Sequence, residues 1–124
     1  MQKLLSGFGV IDLLKGPDSL LDATITCIQI RSTEELPSVE VEFKCRESSK
    51  YTAVKLSFSG VKEFYFYHKE SYRFYNVESM KFLHLESNNI YISLDPDDCT
   101  PGHSDDDLDF ILANEIELSV EFKE

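Results

Sequence analysis

Residues 108–122 read LDFILANEIELSVEF. Leu108, Phe110, Leu112, Ile116, Leu118, Val120 and Phe122 all fall on even positions, interrupted by Asn114, while the odd positions from Glu115 onward read Glu, Glu, Ser, Glu and Lys. A period of two turns alternate side chains to opposite faces of a strand. The stretch therefore predicts one long strand, or two joined at Asn114, dry on one side and strongly negative on the other.

Working outward, the same period recurs upstream. In SVEVEFKCRE, Val39, Val41, Phe43 and Cys45 alternate with Glu40, Glu42, Lys44 and Arg46, which predicts a half-buried strand with one wet face. AVKLSFSG repeats the pattern with Val54, Leu56 and Phe58 and closes on a glycine, and KEFYFYHK and YRFYNVESMKFLHLE read as further strands. LHLESNNIYISLDP carries the Ser-Asn-Asn turn of a hairpin. ATITCIQIR is rich in β-branched residues, but its apolar set shifts from Ile25 and Cys27 to Ile28 and Ile30, which predicts a bulge or cover on both faces. Near the start, Leu4, Phe8, Ile11 and Leu14 lie at helical spacing before the Gly16-Pro17 pair, so residues 1–17 are expected to form a short helix or turn. Six to eight closely spaced strands without intervening amphipathic helices predict an antiparallel all-β domain over about 19–124, built as a sandwich or a strongly curved sheet.

Size and composition agree with a single folded domain. The chain has 124 residues, 42% of them hydrophobic, with nine Phe and six Tyr, well outside the composition of disordered chains. Neither a membrane span nor the layout of a secretory signal is visible, so a cytoplasmic location is expected. Cys27, Cys45 and Cys99 are odd in number, and an in-phase hairpin about residues 34–37 would set Cys27 opposite Phe43 and Cys45 opposite Ile25, so no disulfide is expected.

Charge is distributed unevenly. From Asp95 onward eleven acids stand against Lys123 alone, a net −10 of the chain's −11. Such a field repels nucleic acid and anionic membrane and attracts cationic partners. Its centre is DPDDCTPGHSDDDLD, residues 95–109, with seven aspartates. As a calcium loop it fails: Asp105, Asp107 and Asp109 match the first three oxygen positions, but Phe110 replaces the glycine and Ile116 the bidentate glutamate. Those three aspartates are thus the residues on which only an adventitious cation would settle. Cys99 and His103 lack the second pair that a zinc site needs. No resident metal or cofactor is expected, and nucleophile elbow, phosphate loop and paired histidines are all missing from the pattern, so an enzyme is not expected; a catalytic group would have to be assembled from scattered positions such as Cys99, His103 and Asp105. An acidic turn is ordinarily solvated charge; the functional alternative is a surface that meets a basic protein.

The aromatic run EFYFYHKESYRFY holds seven of the fifteen aromatics. Its phase puts Phe64 and Phe66 on one face and Tyr65 and Tyr67 on the other, which suits either a strand between two layers or an exposed aromatic patch. Lys62, Lys69 and Arg73 are offset by Glu63 and Glu70, so the positive groove that single-stranded nucleic acid needs beside its aromatics is lacking.

The order of SLLDATITCIQI, LPSVEVEFK, VKLSFSGVKEFYF, NVESMKFL, YISLDP and DFILANEIELSVE resembles small bacterial all-β proteins that act as immunity proteins in polymorphic or contact-dependent toxin systems, over roughly residues 19–122. Asp22 and Ala23 match a pair that follows a His in similar sequences; here that position is Leu21. The resemblance implies a cytoplasmic protector that binds and occludes a basic toxin domain, for example a nuclease. On that reading Asp95, Asp97, Asp98, Asp105, Asp106, Asp107 and Asp109 steer and clamp, and Tyr65, Tyr67, Tyr72 and Tyr75 anchor. The alternatives are a phage-type inhibitor that mimics nucleic acid and a β-domain that binds a small ligand or cation and carries an enzymatic activity. The glutamates of the last strand argue for a monomer.

Overall fold

A computed structural model describes residues 1–71 and 76–124. Its strands are β1 (Gln2–Ser6), β2 (Thr24–Arg31), β3 (Ser38–Lys44), β4 (Tyr51–Tyr65), β5 (Lys81–Leu85), β6 (Asn89–Asp95) and β7 (Leu108–Phe122), with one short helix, α1 (Gly9–Leu13). All seven belong to one open sheet of order β2-β3-β4-β7-β6-β5, with β1 beside β7, antiparallel throughout. β7 is its spine. β4 pairs with one edge over nearly its whole length, while β6 takes Leu108 to Ala113 and β1 takes Glu117 to Val120 of the other edge. The all-β expectation holds, as a single sheet rather than a sandwich.

β4 and β7 bend together. Phe58 and Val61 on β4 both point into the core, as do Ala113 and Ile116 on β7, with two residues between them in each strand instead of one. The step falls between the pairs Ser59↔Glu115 and Val61↔Ala113, where Gly60 lies opposite Asn114. Gly60 has φ +60°, and a Cβ added there would stand 2.8 Å from Asn114 Nδ2 and 3.2 Å from its Cβ, so a side chain here is strained and Asn114 would have to shift. Gly60 therefore does not end a strand: the two predicted runs 53–60 and 62–69 are joined in β4. The step also corrects the single dry face expected of residues 108–122. Beyond it, Ile116, Leu118 and Val120 face the core, but upstream the inward residues are Ile111 and Ala113, and Leu108, Phe110 and Leu112 turn half-buried to the back of the sheet.

A second irregularity, between Ile25 and Cys27, sets Ile25 opposite Phe43 but Cys27 opposite Glu42. The bulge turns Cys27 out to solvent, so the in-phase register with Phe43 is not formed. All three cysteines are free. The short helix expected near the chain start is present as Gly9–Leu13; Leu4 precedes it in β1, because Gly7 at φ +85° turns the chain after donating its N–H to Ile116 O at 3.0 Å. Of the run 72–86, β5 accounts for residues 81–85.

One apolar cluster fills the front face. Val39, Val41, Phe43, Val54, Leu56, Phe58, Leu118 and Val120 meet Val10, Ile11 and Leu14 from the helical segment, with Leu20, Ala23 and Val77. A five-residue helix spans about 7.5 Å, far less than the width of seven strands at about 4.8 Å spacing. The bend at Gly60 and the segments around Leu20 and Val77 supply the remaining cover. Val77 is tied in by Asp22 N–H to its carbonyl (2.8 Å) and by its own N–H to Ala23 O (3.0 Å). Arg46 holds the same region to the end of β3 by donating to Leu21 O (2.8 Å) and Ser19 Oγ (3.3 Å). Leu56 and Leu118 face each other across β4 and β7, both fully buried. Truncating either to Ala should cost about 2–5 kcal/mol, a large part of the roughly 6–19 kcal/mol typical of this length. Among the described residues, no helix is long and apolar enough to cross a membrane.

Candidate functional site

The acidic loop folds back over the rear of the sheet. On β6, Ile90 and Ile92 point into the core, so Tyr91 and Ser93 point the other way; on β5, Phe82 points in and Lys81 out. Asp107 descends on this pair. Its Oδ1 accepts Lys81 Nζ (2.8 Å) and the Asp97 N–H (2.8 Å), and its Oδ2 accepts the Tyr91 hydroxyl (2.6 Å) and the Ser104 N–H (3.0 Å). Lys81 Nζ also donates to Gly102 O at 2.8 Å, and Ser93 Oγ to Leu108 O at 2.6 Å. Burial alone would push the Asp107 carboxyl up, but Lys81, Tyr91 and the two backbone N–H groups hold it down to about 2. Tyr91 is pushed well above the usual phenol range by burial and by Asp107, so it donates and does not serve as a base.

The other aspartates divide by environment. Asp97 shapes the loop from within, accepting the Cys99 N–H (3.0 Å), the Ser104 hydroxyl (3.1 Å) and the Thr100 hydroxyl (3.3 Å), and the first of these leads in lowering its pKa. Asp98 is exposed and accepts the Ser79 hydroxyl at 3.2 Å. Asp109 is buried at φ +48°, and its Oδ1 accepts the Tyr67 N–H at 2.8 Å where the β4–β7 ladder ends. Burial, with Asp95 adding repulsion, raises its pKa to about 6 despite that bond. Asp95 is half-buried and also raised, first by burial and then by Asp98. Asp105 and Asp106 are exposed. Of the seven predicted partner-binding acids, Asp98, Asp105 and Asp106 thus lie open on the surface, Asp95 and Asp97 partly so, and Asp107 and Asp109 inside.

Aromatic rings link this loop to β4. The Tyr65 ring lies nearly parallel to Phe110 (6.2 Å, 12°), Phe110 to Tyr91 (5.7 Å), and Tyr91 meets the exposed His103 edge-on (4.8 Å). On the front, Phe64 and Phe66 meet at 5.8 Å. The phase expected of the aromatic run is therefore present, and Tyr65 (43%) and Tyr67 (38%) remain partly exposed. Tyr72 and Tyr75 lie outside the described residues. Lys81, Tyr91 and Phe110 escaped the sequence reading. The one signal for them was a lysine and a tyrosine each flanked by apolar strand residues, where a buried polar group needs a partner.

All four donors to Asp107 come from the chain itself and leave its carboxylate closed to a substrate. Among the described residues, no three His, Cys, Asp or Glu side chains converge as metal ligands; Asp105, Asp107 and Asp109, the candidates for an adventitious cation, divide between surface and interior. An open cleft of mixed character beside the Gly60 step is lined by Thr33, Leu36, Ser38, Ser59 and Asn114, with Glu35 as its one ionisable group. What the loop offers is an acidic surface, anchored at Asp107, beside exposed tyrosine. The chain matches no family model, no curated protein and no solved structure.

Proposed function

We propose that this domain is a cytoplasmic binding module of the immunity type, which captures and occludes a basic toxin domain. The observation that carries the reading is the Asp107 anchor. It uses one buried carboxylate to hold Asp98, Asp105 and Asp106 outward on a fixed loop, and the same face carries exposed Tyr65. Fixed carboxylates steer a cationic partner and lose little entropy on binding, and aromatic side chains beside them supply apolar contact that slows dissociation. The nucleic-acid-mimic alternative is less well supported, because it calls for carboxylates spaced along an open surface, and Asp107 and Asp109 are withdrawn from it. A ligand-binding reading calls for polar groups converging in an apolar pocket, a description that the cleft beside Gly60 does not meet.

The test is association with the basic C-terminal domain of a secreted protein encoded by the adjacent reading frame. Replacing Asp98, Asp105 and Asp106 together by Asn should slow association by about tenfold or more at low salt and flatten its salt dependence, with dissociation changed less. Unchanged association kinetics, or no complex with the neighbour's product, would overturn the reading.

A further inference from the structure

Resting on that reading, we infer that the contact at Tyr65 is a receptor for an arginine side chain of the partner, with the guanidinium stacked on the open face of the Tyr65 ring and paired with Glu63. The Phe110 ring lies near-parallel beside Tyr65 with centroids 6.2 Å apart, and Tyr65 is 43% exposed, which leaves its ring open to a stacking partner.

Glu63 stands two residues earlier on the same strand. It pairs opposite Leu112, and Tyr65 opposite Phe110, so both project from the back of the sheet where Leu112 and Phe110 lie. Glu63 is exposed and joins no ion pair within the chain among the described residues.

A planar cation suits this pair better than a compact one. Guanidinium stacks flat on an aromatic ring and still presents N–H donors in its plane to a carboxylate, whereas an ammonium must choose between the two. Tyr65 is already held in place by Phe110, so stacking costs little ordering. The surrounding net charge favours any cation, and the ring selects arginine.

The experiment uses the full chain, isotopically labelled, and two capped tripeptides, Gly-Arg-Gly and Gly-Lys-Gly, followed by NMR. The arginine peptide should shift the Tyr65 ring and Glu63 amide resonances and bind about fivefold more tightly than the lysine peptide. Glu63→Gln and Tyr65→Leu should each weaken it by about threefold or more, and Tyr65→Phe should retain it. The wild-type comparison needs no variant and so stands even if one folds poorly. Equal affinity for the two peptides, or shifts confined to Asp98, Asp105 and Asp106, would overturn the arginine receptor and leave the acidic-loop reading intact. Loss of salt-dependent association with the neighbour-encoded domain would do the reverse.

Discussion

Replacing Asp107 by Asn removes the charge that neutralises Lys81 inside the fold. The ammonium is 9% exposed and its other acceptor is Gly102 O, so in the variant it is a buried cation without a counter-ion. Breaking such a pair from one side costs about 3–5 kcal/mol. In addition, one of the two oxygens becomes an NH2 group, which cannot accept from either Asp97 or Ser104. With a urea m-value of about 2 kcal/mol/M, the midpoint should fall by about 2 M with m unchanged. Amide exchange at Asp97 or Ser104, whichever N–H meets the new NH2 group, should accelerate well beyond that of β4 and β7, because that N–H loses its acceptor. The double variant with Lys81→Met should recover about 1–3 kcal/mol, the coupling between the two sites. The effect must also depend on pH. The Asp107 pKa is lowered from 3.8 to about 2 by folding, so its ionisation adds about 2 kcal/mol of stability above pH 4, lost as pH falls through 2. The gap between wild type and variant should therefore narrow in acid. A loss below about 1 kcal/mol at pH 7, with loop exchange unchanged, would refute the view that this carboxylate anchors the loop.

Other expectations follow from the same geometry. Asp109 has the opposite sign: its pKa rises from 3.8 to about 6, so wild-type stability should fall by up to about 3 kcal/mol as pH rises from 4 to above 6 and then level off. Asp109→Asn keeps the acceptor for Tyr67 and tolerates φ +48°, and should raise the melting temperature at pH 8 while leaving it nearly unchanged at pH 4. Gly60→Ala should cost about 2 kcal/mol or more in chemical unfolding, from its positive φ and the 2.8 Å approach to Asn114; a neutral result would remove the steric account of the bend. Three thiols should titrate without reductant, Cys27 and Cys99 quickly and Cys45 slowly, since Cys45 is half-buried and its thiol pKa is raised by that burial.

By itself the sequence determined the all-β class, the positions of most strands and the concentration of charge from Asp95 onward. These rest on local alternation, because a half-buried strand records its two faces in consecutive residues such as Val39-Glu40-Val41-Glu42. The bulge in β2 was also legible, from the shift between Cys27 and Ile28. Tertiary structure decided the phase break at Asn114, since it depends on Gly60, fifty-four residues earlier in sequence and opposite in space. It likewise decided which aspartates face solvent. Seven similar carboxylates in fifteen positions differ only in what approaches them, and Lys81, Tyr91 and Tyr67 come to Asp107 and Asp109 from other strands and the loop after β4. Composition records how much charge a chain carries, whereas hydrogen-bond donors brought from a distance decide which of it holds the fold and which is left facing solvent.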